Sequence, residues 1–203
     1  MANVQSTPSR GPGRPVNVGL QQDILAATVD LLLERDTRDV TISAITERAG
    51  TSRTALYRRW SSREELLADA LESLRTRPEI VRGATALDTI RSSYEESSSA
   101  MSGHATTLAR KRIALALENE QLRTLIWERQ ILRHRELIAT EIRRGIDSGE
   151  LDPAVDVEAM IDLLSGMYYY QFVVRPDSAR EESETRQRLR TAVTLVWEGA
   201  SRR

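Results

Sequence analysis

Positive charge is concentrated between Arg48 and Arg63, a stretch that contains no acidic residue. Its five arginines stand at positions 48, 53, 58, 59 and 63. A guanidinium group stays charged near neutral pH and presents a planar fork of N–H donors, which suits it to phosphates and to the edges of bases. The whole chain has a formal net charge of −1, so this cluster is a local feature. Because binding to a phosphate backbone needs only a local positive field, the cluster indicates a nucleic-acid surface.

Four of the five arginines lie in a segment, 41–60, whose pattern predicts two short helices joined by a sharp turn. The first helix presents an apolar stripe at helical spacing, formed by Ile42, Ile45 and Ala49. Gly50 can take the positive φ that a tight exit from a helix requires. Either Thr51 or Ser52 can then cap the second helix by accepting a backbone N–H.

The second helix, 53–59, is expected to bury Leu56 and Trp60. At roughly 100° per residue, Thr54 and Arg58 project away from that buried side, with Tyr57 on the flank. A polar outward face on a helix that packs through leucine suits a helix lying in the major groove of DNA. The alternative is an ordinary helical hairpin whose basic face is solvated.

The longer segment 41–67, TISAITERAGTSRTALYRRWSSREELL, resembles the DNA-binding segment of the tetracycline-repressor (TetR) family. Members of that family carry a Thr-capped second helix, an Ala-Gly-x-Ser turn, Leu-Tyr, an aromatic closing residue, and Lys or Arg before Glu-Glu-Leu. This sequence departs at Thr46 and Thr51, where the family usually has Ala and Val. The resemblance implies a transcriptional regulator, a repressor, that binds a palindromic DNA operator as a homodimer and is released by a small-molecule effector. Two copies of the second helix would then enter successive major grooves ~34 Å apart.

The expected DNA contacts follow from these helix faces and from the resemblance. We expect Arg53 and Thr54 to contact base edges. Contacts to phosphates are expected from Thr41, Tyr57, Arg58 and Arg63. Ser52 is also expected at the DNA-binding surface.

The first 18 residues are rich in Pro, Gly, Ser and Asn without periodicity, which predicts a disordered basic arm. Arg14 stands in a Gly-Arg-Pro context that cannot form helix, and such an arm can insert an arginine into a narrow minor groove. Arms of this kind are frequent in the TetR family. The alternative is a terminus that contacts nothing.

The rest of the chain has helical periodicity throughout, so the predicted fold is all-α with about nine helices. We expect a helix-turn-helix domain over 19–77, whose fourth helix joins it to a helical effector-binding and dimerisation domain over 78–203. The predicted helices outside the hairpin cover 20–35, 62–74, 87–101, 105–117, 120–147, 157–174 and a last segment that ends near 200.

The last two helices carry more apolar surface than one subunit can cover. Segment 157–174 is apolar over most of its circumference. The final helix places one stripe at i, i+4, i+7 and i+11, formed by Leu189, Val193, Val196 and Ala200. We therefore expect a homodimer whose interface is a four-helix bundle, with this stripe in it. A large monomeric core is the alternative.

A small apolar ligand is the expected effector, held between the helices of the second domain. The candidate lining residues are Tyr94, Met101, Trp127, Met160, Met167 and Tyr168. They are candidates as a set because the family usually holds its effector there, and the alternative is that they are plain core.

Other functional classes find little support in the sequence. Cysteine is absent and the two histidines are far apart, so no metal site, cofactor or enzymatic activity is expected. No apolar run reaches transmembrane length, so the expectation is a cytoplasmic protein without membrane association. Two rivals to the regulator stay open, namely a ligand-independent DNA-organising protein and a helical-bundle enzyme.

Overall fold

The computed structural model describes residues 18–73, 82–101 and 103–201, and every regular element in these ranges is helical. The first four helices are α1 (Val18–Glu34), α2 (Ile42–Arg48), α3 (Arg53–Tyr57) and α4 (Arg63–Ser73). The next two are α5 (Ala86–Ala100) and α6 (His104–Glu118). Helix α7 runs over Glu120–Ile126, passes through a π-helical turn (Trp127–Ile131) and continues over Leu132–Asp147. Helix α8 (Val157–Tyr169) ends in a second π-helical turn (Tyr170–Val174), and α9 covers Glu182–Ala200.

This architecture confirms the all-α prediction with nine helices in the described ranges. None of those helices is both long enough and apolar enough to cross a bilayer. The predicted arm with Arg14 and the predicted boundary at 77–78 lie outside the described residues.

Side-chain caps fix the hairpin of α2 and α3. Thr41 begins α2 because its Oγ1 accepts from the backbone N–H of Ala44 at 3.2 Å. Gly50 has φ +60°, which lets the chain leave α2 sharply. Of the two candidate caps for α3, the structure uses Ser52, whose Oγ accepts from Ala55 N–H at 3.2 Å. The α-helical part of α3 stops at Tyr57, two residues earlier than expected.

One apolar core joins the first four helices to α6 and α7. Leu56 and Trp60, 0 % and 2 % exposed, pack in it as predicted. The same cluster contains Leu108 and Leu115 of α6 together with Ile126 of α7. The division into domains 19–77 and 78–203 thus stays a prediction, and this core crosses it.

A second core is built by α5, the C-terminal half of α7, α8 and α9. It corrects the expected dimer stripe, because Leu189 and Val193 are fully buried within their own subunit. Val196 and Ala200 are partly buried, and both pack against the second core. The physical reason is that α9 lies along α5, its most extensive helix–helix contact, and turns the apolar stripe toward it. Leu189 and Val193 are therefore not available to a partner subunit.

The close approach of α9 to α7 depends on Gly145. A Cβ at this position would lie 2.8 Å from two ring atoms of Trp197 and 3.2 Å from Leu151 Cδ1. Trp197 is 3 % exposed, so its ring has no solvent-filled space into which to move.

We predict that Gly145→Ala destabilises the protein by about 1–2 kcal/mol. The added methyl group overpacks the core, and this destabilises the protein more than the higher helix propensity of alanine stabilises it. Denaturant unfolding measures the difference, with Arg143→Ala on the exposed side of the same helix as the control. Replacing Trp197 by Leu in the Gly145→Ala background should recover part of the loss. A Gly145→Ala protein more stable than the parent would contradict the packing argument.

Candidate DNA-binding surface and effector cavity

Helix α3 separates a buried side from a polar exposed side. Leu56 faces the core, while Arg53, Thr54 and Arg58 are exposed and Tyr57 is 51 % exposed. Thr41 and Ser52, at the starts of α2 and α3, are also exposed. The structure therefore brings six of the expected DNA-contact residues onto the outside of one hairpin.

Arg53 is held in place before any partner arrives. Its Nη2 donates to Ser43 Oγ in the first turn of α2. This bond ties the start of α3 to the start of α2, so the guanidinium lies across the hairpin instead of moving freely in solvent. Sequence reasoning missed Ser43, although its position two residues after the cap of α2 places it at that end.

Three of the five clustered arginines serve the fold. Arg48 donates two hydrogen bonds to the Glu34 carboxylate, at 3.0 and 2.6 Å, and thereby holds the pKa of that carboxyl below its usual value. Arg59 Nη1 donates to the Ala55 carbonyl at 3.0 Å. The cluster is therefore less available to phosphate than its composition suggests.

Arg63 has partners within the subunit that the sequence did not predict. Its Nε donates to the Val40 carbonyl at 2.8 Å and its Nη2 to the Thr37 carbonyl at 2.6 Å. A cation in the first turn of α4 is unfavourable for the helix dipole, and the sequence suggested phosphate binding as the reason for it. The structure gives a different reason, because Arg63 fastens the connection between α1 and α2 onto the start of α4.

A cavity of about 450 Å³ lies among α4, α5, α6, α7 and α8. Four of the six expected residues line it: Tyr94, Met101, Trp127 and Tyr168. Met160 does not, because it is 3 % exposed within the second core, and Met167 packs against that core. Helix α8 is apolar on several sides, so its sequence alone did not tell which side faces the cavity.

Aromatic rings form much of the cavity wall. Tyr168 meets Tyr94 edge-on with ring centroids 6.1 Å apart, and it meets Phe172 at 4.6 Å. Tyr168 Oη donates to the Ser97 carbonyl at 3.1 Å, which fixes the ring against α5. Burial raises the pKa of the Tyr94 hydroxyl, and a weak interaction with Ser165 opposes part of that rise.

Polar groups enter the cavity from α6, α7 and α8. Arg112 of α6 donates to Tyr169 Oη at 3.4 Å. Arg135 of α7 binds the carboxylates of Asp162 and Glu158, and its guanidinium lies 5.6 Å from the centre of the Trp127 ring. The sequence did not point to Arg112 or Arg135, because their position at the cavity depends on how α6 and α7 pack against other helices.

The π-helical turn of α7 touches both the cavity and α4. Trp127 and Ile131 line the cavity. Between them, Arg129 donates to Asp69 at 2.8 Å and to Glu65 at 2.9 Å, both on α4. The buried Gln130 adds a hydrogen bond from Nε2 to the Ala68 carbonyl at 2.9 Å.

The two carboxylates that Arg129 binds also hold the end of the hairpin. Asp69 accepts from Trp60 Nε1 at 2.8 Å, and Glu65 accepts from the backbone N–H of Ser61 at 2.8 Å. The hydrogen bond from Arg129, supported by those from Ser61, lowers the pKa of Glu65 to about 2. Arg129 of α7 is thus connected to Trp60 and Ser61, which follow α3, through one carboxylate each.

A second surface feature is an exposed apolar face on α8 and α9. On α8 it follows helical spacing through Ala159, Leu163, Gly166, Tyr170 and Val174. On α9 it comprises Ala192, Leu195 and Gly199. Leu163 and Leu195 are 62 % and 64 % exposed. Gly166 belongs to this face and also lines the cavity.

Within the described ranges, histidine, aspartate and glutamate nowhere gather into a group of three or more that could hold a metal ion.

Two family models match this chain. The model of bacterial regulatory proteins of the tetR family matches residues 24–70. The model of the tetracyclin repressor-like C-terminal domain matches residues 85–196, more than half of the chain.

Relatives and solved structures agree with these matches. The HTH-type transcriptional regulator YdeS of Bacillus subtilis (strain 168) is 29 % identical over 174 residues, which cover 83 % of this chain and 86 % of YdeS. A TetR-family regulator from Syntrophomonas wolfei has a TM-score of 0.75 at 16 % identity, covering 90 % of this chain and 97 % of its own. FadR from Bacillus subtilis, solved with stearoyl-CoA, has a TM-score of 0.71 at 20 % identity, covering 88 % and 98 %.

These two structures are similar in fold, and the family models extend the similarity to both parts of the sequence. The chain belongs to the TetR family of DNA-binding transcriptional regulators.

Proposed function

We propose that this protein represses transcription by binding a palindromic operator as a homodimer, and that an organic effector in the cavity releases it. The observation that supports this most directly is the exposed polar side of α3, on a helix whose other side is buried. Such a regulator works on the chromosome, so its place of action is the cytoplasm.

The proposed contacts divide into two kinds. Arg53 and Thr54 would contact base edges, because both are exposed and Arg53 is already oriented by Ser43. The phosphate contacts would come from Thr41, Ser52, Tyr57 and Arg58. Two backbone carbonyls accept from the Arg63 guanidinium, which has further N–H donors, so its phosphate contact stays a prediction from the sequence. A contact from Arg14 stays a prediction from the sequence.

The proposed dimer interface is the exposed face of α8 and α9. Large side chains such as Leu163 and Leu195 alternate there with small residues such as Gly166 and Gly199. Small residues let helix backbones approach closely, and large ones fill the gaps between them. Two adjacent helices of each subunit would form a four-helix bundle across a two-fold axis. Water is a poor partner for an apolar face of this extent.

The proposed release runs through the π-helical turn of α7. A ligand against Trp127 and Ile131 would shift this turn, and Arg129 and Gln130 would carry the shift to α4. Because only a few residues around Trp60 connect α3 to α4, a shift of α4 would also move the recognition helix α3. In a dimer, α3 would then change its position relative to α3 of the other subunit. A coupling free energy of ~1–3 kcal/mol weakens DNA binding 5- to 150-fold.

The cavity favours a regulator over a ligand-independent DNA-organising protein. A protein with no ligand to bind gains stability by filling its core, whereas this core keeps about 450 Å³ open. The names of the matched families and relatives are those of regulators and not of enzymes.

Arg53→Ala should relax base preference at one position of each half-site and cost ~1–3 kcal/mol of binding free energy. Arg58→Ala should weaken binding to all sequences alike and reduce the salt dependence. Fluorescence anisotropy on an operator selected from genomic fragments measures both, with Arg186→Ala on α9 as a charge-matched control. If Arg58→Ala alters sequence preference and Arg53→Ala does not, the two roles are reversed.

Leu195→Glu should yield a folded monomer that has lost palindrome binding. The substitution places two uncompensated charges near the two-fold axis of an apolar interface. Val193→Asp should instead unfold the subunit, because that side chain is buried against α5. Sedimentation and circular dichroism separate the outcomes, with Leu117→Glu, an exposed leucine on α6, as the control. A dimeric Leu195→Glu protein would place the interface elsewhere.

Acidification should weaken the link between α7 and α4. Since the pKa of Glu65 is lowered to about 2, its contribution to stability is present above pH 4.5 and is lost as the pH falls toward 2. Arg129→Gln should cost about 1 kcal/mol at pH 7, in the range of a partly exposed ion pair, and less at pH 3. Denaturant unfolding at both pH values measures this, with Arg186→Gln as the control. An equal cost at both pH values would mean that Arg129 acts through packing.

A further inference from the structure

We propose that the cavity selects an aromatic carboxylic acid, with the ring system against the tyrosine wall and the carboxylate at Arg112. This inference rests on the proposed function, since it names the chemistry of the effector. It replaces the sequence-based expectation of a merely apolar ligand.

The cavity is open because one face of α6 carries short side chains. Ala105, Leu108, Ala109 and Arg112 line it at i, i+3, i+4 and i+7, so they share one face of the helix. The two alanines stop at Cβ and leave room opposite α8. One turn farther along, the same face ends in the Arg112 guanidinium. A ligand lying along α6 thus meets apolar surface first and a cation at the end.

Aromatic lining favours flat rings. The chain has three tryptophans, five tyrosines and one phenylalanine, and five of these nine line the cavity: Tyr94, Trp127, Tyr168, Tyr169 and Phe172. Tyr168 stands between Tyr94 and Phe172, with ring-centre distances of 6.1 and 4.6 Å, and forms a continuous wall. Aromatic pairs gain ~0.5–1.5 kcal/mol beyond their buried area, which an alkyl chain does not obtain.

The charge of the lining favours an anion. Two arginines and one aspartate line the cavity within the described residues, which gives a formal net charge of +1 with His134 neutral. Asp162 and Glu158 both bind Arg135 and neutralise its charge, and their side chains are 70 % and 66 % exposed. The cationic character of the cavity therefore rests on Arg112. Arg112 lies on the inner face of α6.

Arg112 and Tyr169 form a head-group site of suitable chemistry. A guanidinium carries five N–H donors, and a planar carboxylate accepts two of them side by side. Tyr169 Oη accepts from Arg112 at 3.4 Å, which leaves its own proton to be donated to the same carboxylate. Charge-assisted bonds of this kind are roughly twice as strong as neutral ones.

The Tyr94 hydroxyl does not reach the ligand. Tyr94 is 5 % exposed, and its Oη is buried away from the cavity surface. The ring of Tyr94 therefore contributes to the apolar wall, and the polar contact comes from Arg112 with Tyr169.

The test uses the full-length protein and five probes. These are 2-naphthoate, 6-hydroxy-2-naphthoate, neutral 2-naphthalenemethanol, cationic 2-naphthylmethylammonium and the aliphatic acid decanoate. Calorimetry gives each affinity, and anisotropy gives operator binding with and without each probe. We expect 2-naphthoate to bind at least 10-fold more tightly than the neutral, cationic and aliphatic probes. We expect the 6-hydroxyl group to bring no gain, because the Tyr94 hydroxyl is buried away from the cavity surface.

The variants separate charge recognition from packing. Arg112→Gln should weaken 2-naphthoate at least 10-fold and leave 2-naphthalenemethanol unchanged, while Arg112→Lys should keep the preference for the anion. Tyr94→Phe should leave the affinity for 2-naphthoate unchanged, because the Tyr94 hydroxyl does not reach the ligand. Arg186→Gln, an exposed arginine on α9, is the control and should change neither affinity.

Several outcomes would overturn the proposal. They are equal affinity for charged and neutral probes, an equal loss for all probes in Arg112→Gln, tighter binding of decanoate than of 2-naphthoate, or no binding of any aromatic acid at millimolar concentration. Operator binding without a probe is measured in the same series. If it persists when the probes fail, the effector class is wrong and the regulator stands. If it is absent, the proposed function itself fails.

Discussion

The position of α3 relative to the second half of the chain depends on the ion pairs between Arg129 of α7 and two carboxylates of α4. Glu65 and Asp69 each accept a hydrogen bond from Arg129, and each also holds a group of the hairpin end, Ser61 or Trp60. The orientation of α3 is therefore set partly from outside the first four helices. A π-helical turn at this point carries one extra residue, which lets neighbouring side chains face opposite ways, toward the cavity and toward α4.

The shared apolar core explains how this link can transmit a displacement. Leu108, Leu115 and Ile126 pack in the same cluster as Leu56 and Trp60. A close-packed core transmits displacement because it cannot be compressed, so a small shift of α7 is not absorbed between the two halves. The boundary expected near residue 77 rests on a change in the sequence pattern. In the structure, residues from before and after it pack in one apolar core.

Local features of the hairpin were predictable from the sequence, whereas helix-to-helix choices were not. Gly50, the Ser52 cap and the burial of Leu56 depend on neighbours within a few residues. Helix α9 carries two stripes about 100° apart, and periodicity does not tell which one packs inside. Leu189 and Val193 go inside with α5, and the stripe through Leu195 stays out. The partners of Arg63 within the subunit were likewise not predictable, because the carbonyls of Thr37 and Val40 precede it by more than 20 residues.

At Gly166 the cavity wall and the exposed face of α8 are separated by a single thickness of backbone. Any side chain introduced there would enter one surface or the other, and a change that widens or narrows the cavity also reshapes the helix face. In the proposed dimer, a substitution at Gly166 would therefore change ligand preference and subunit pairing together. After gene duplication, the two properties could not diverge separately through this position. A duplicate that acquires a new ligand through this position would tend to stop pairing with its parent. The same substitution would therefore prevent mixed dimers between the duplicate and its parent.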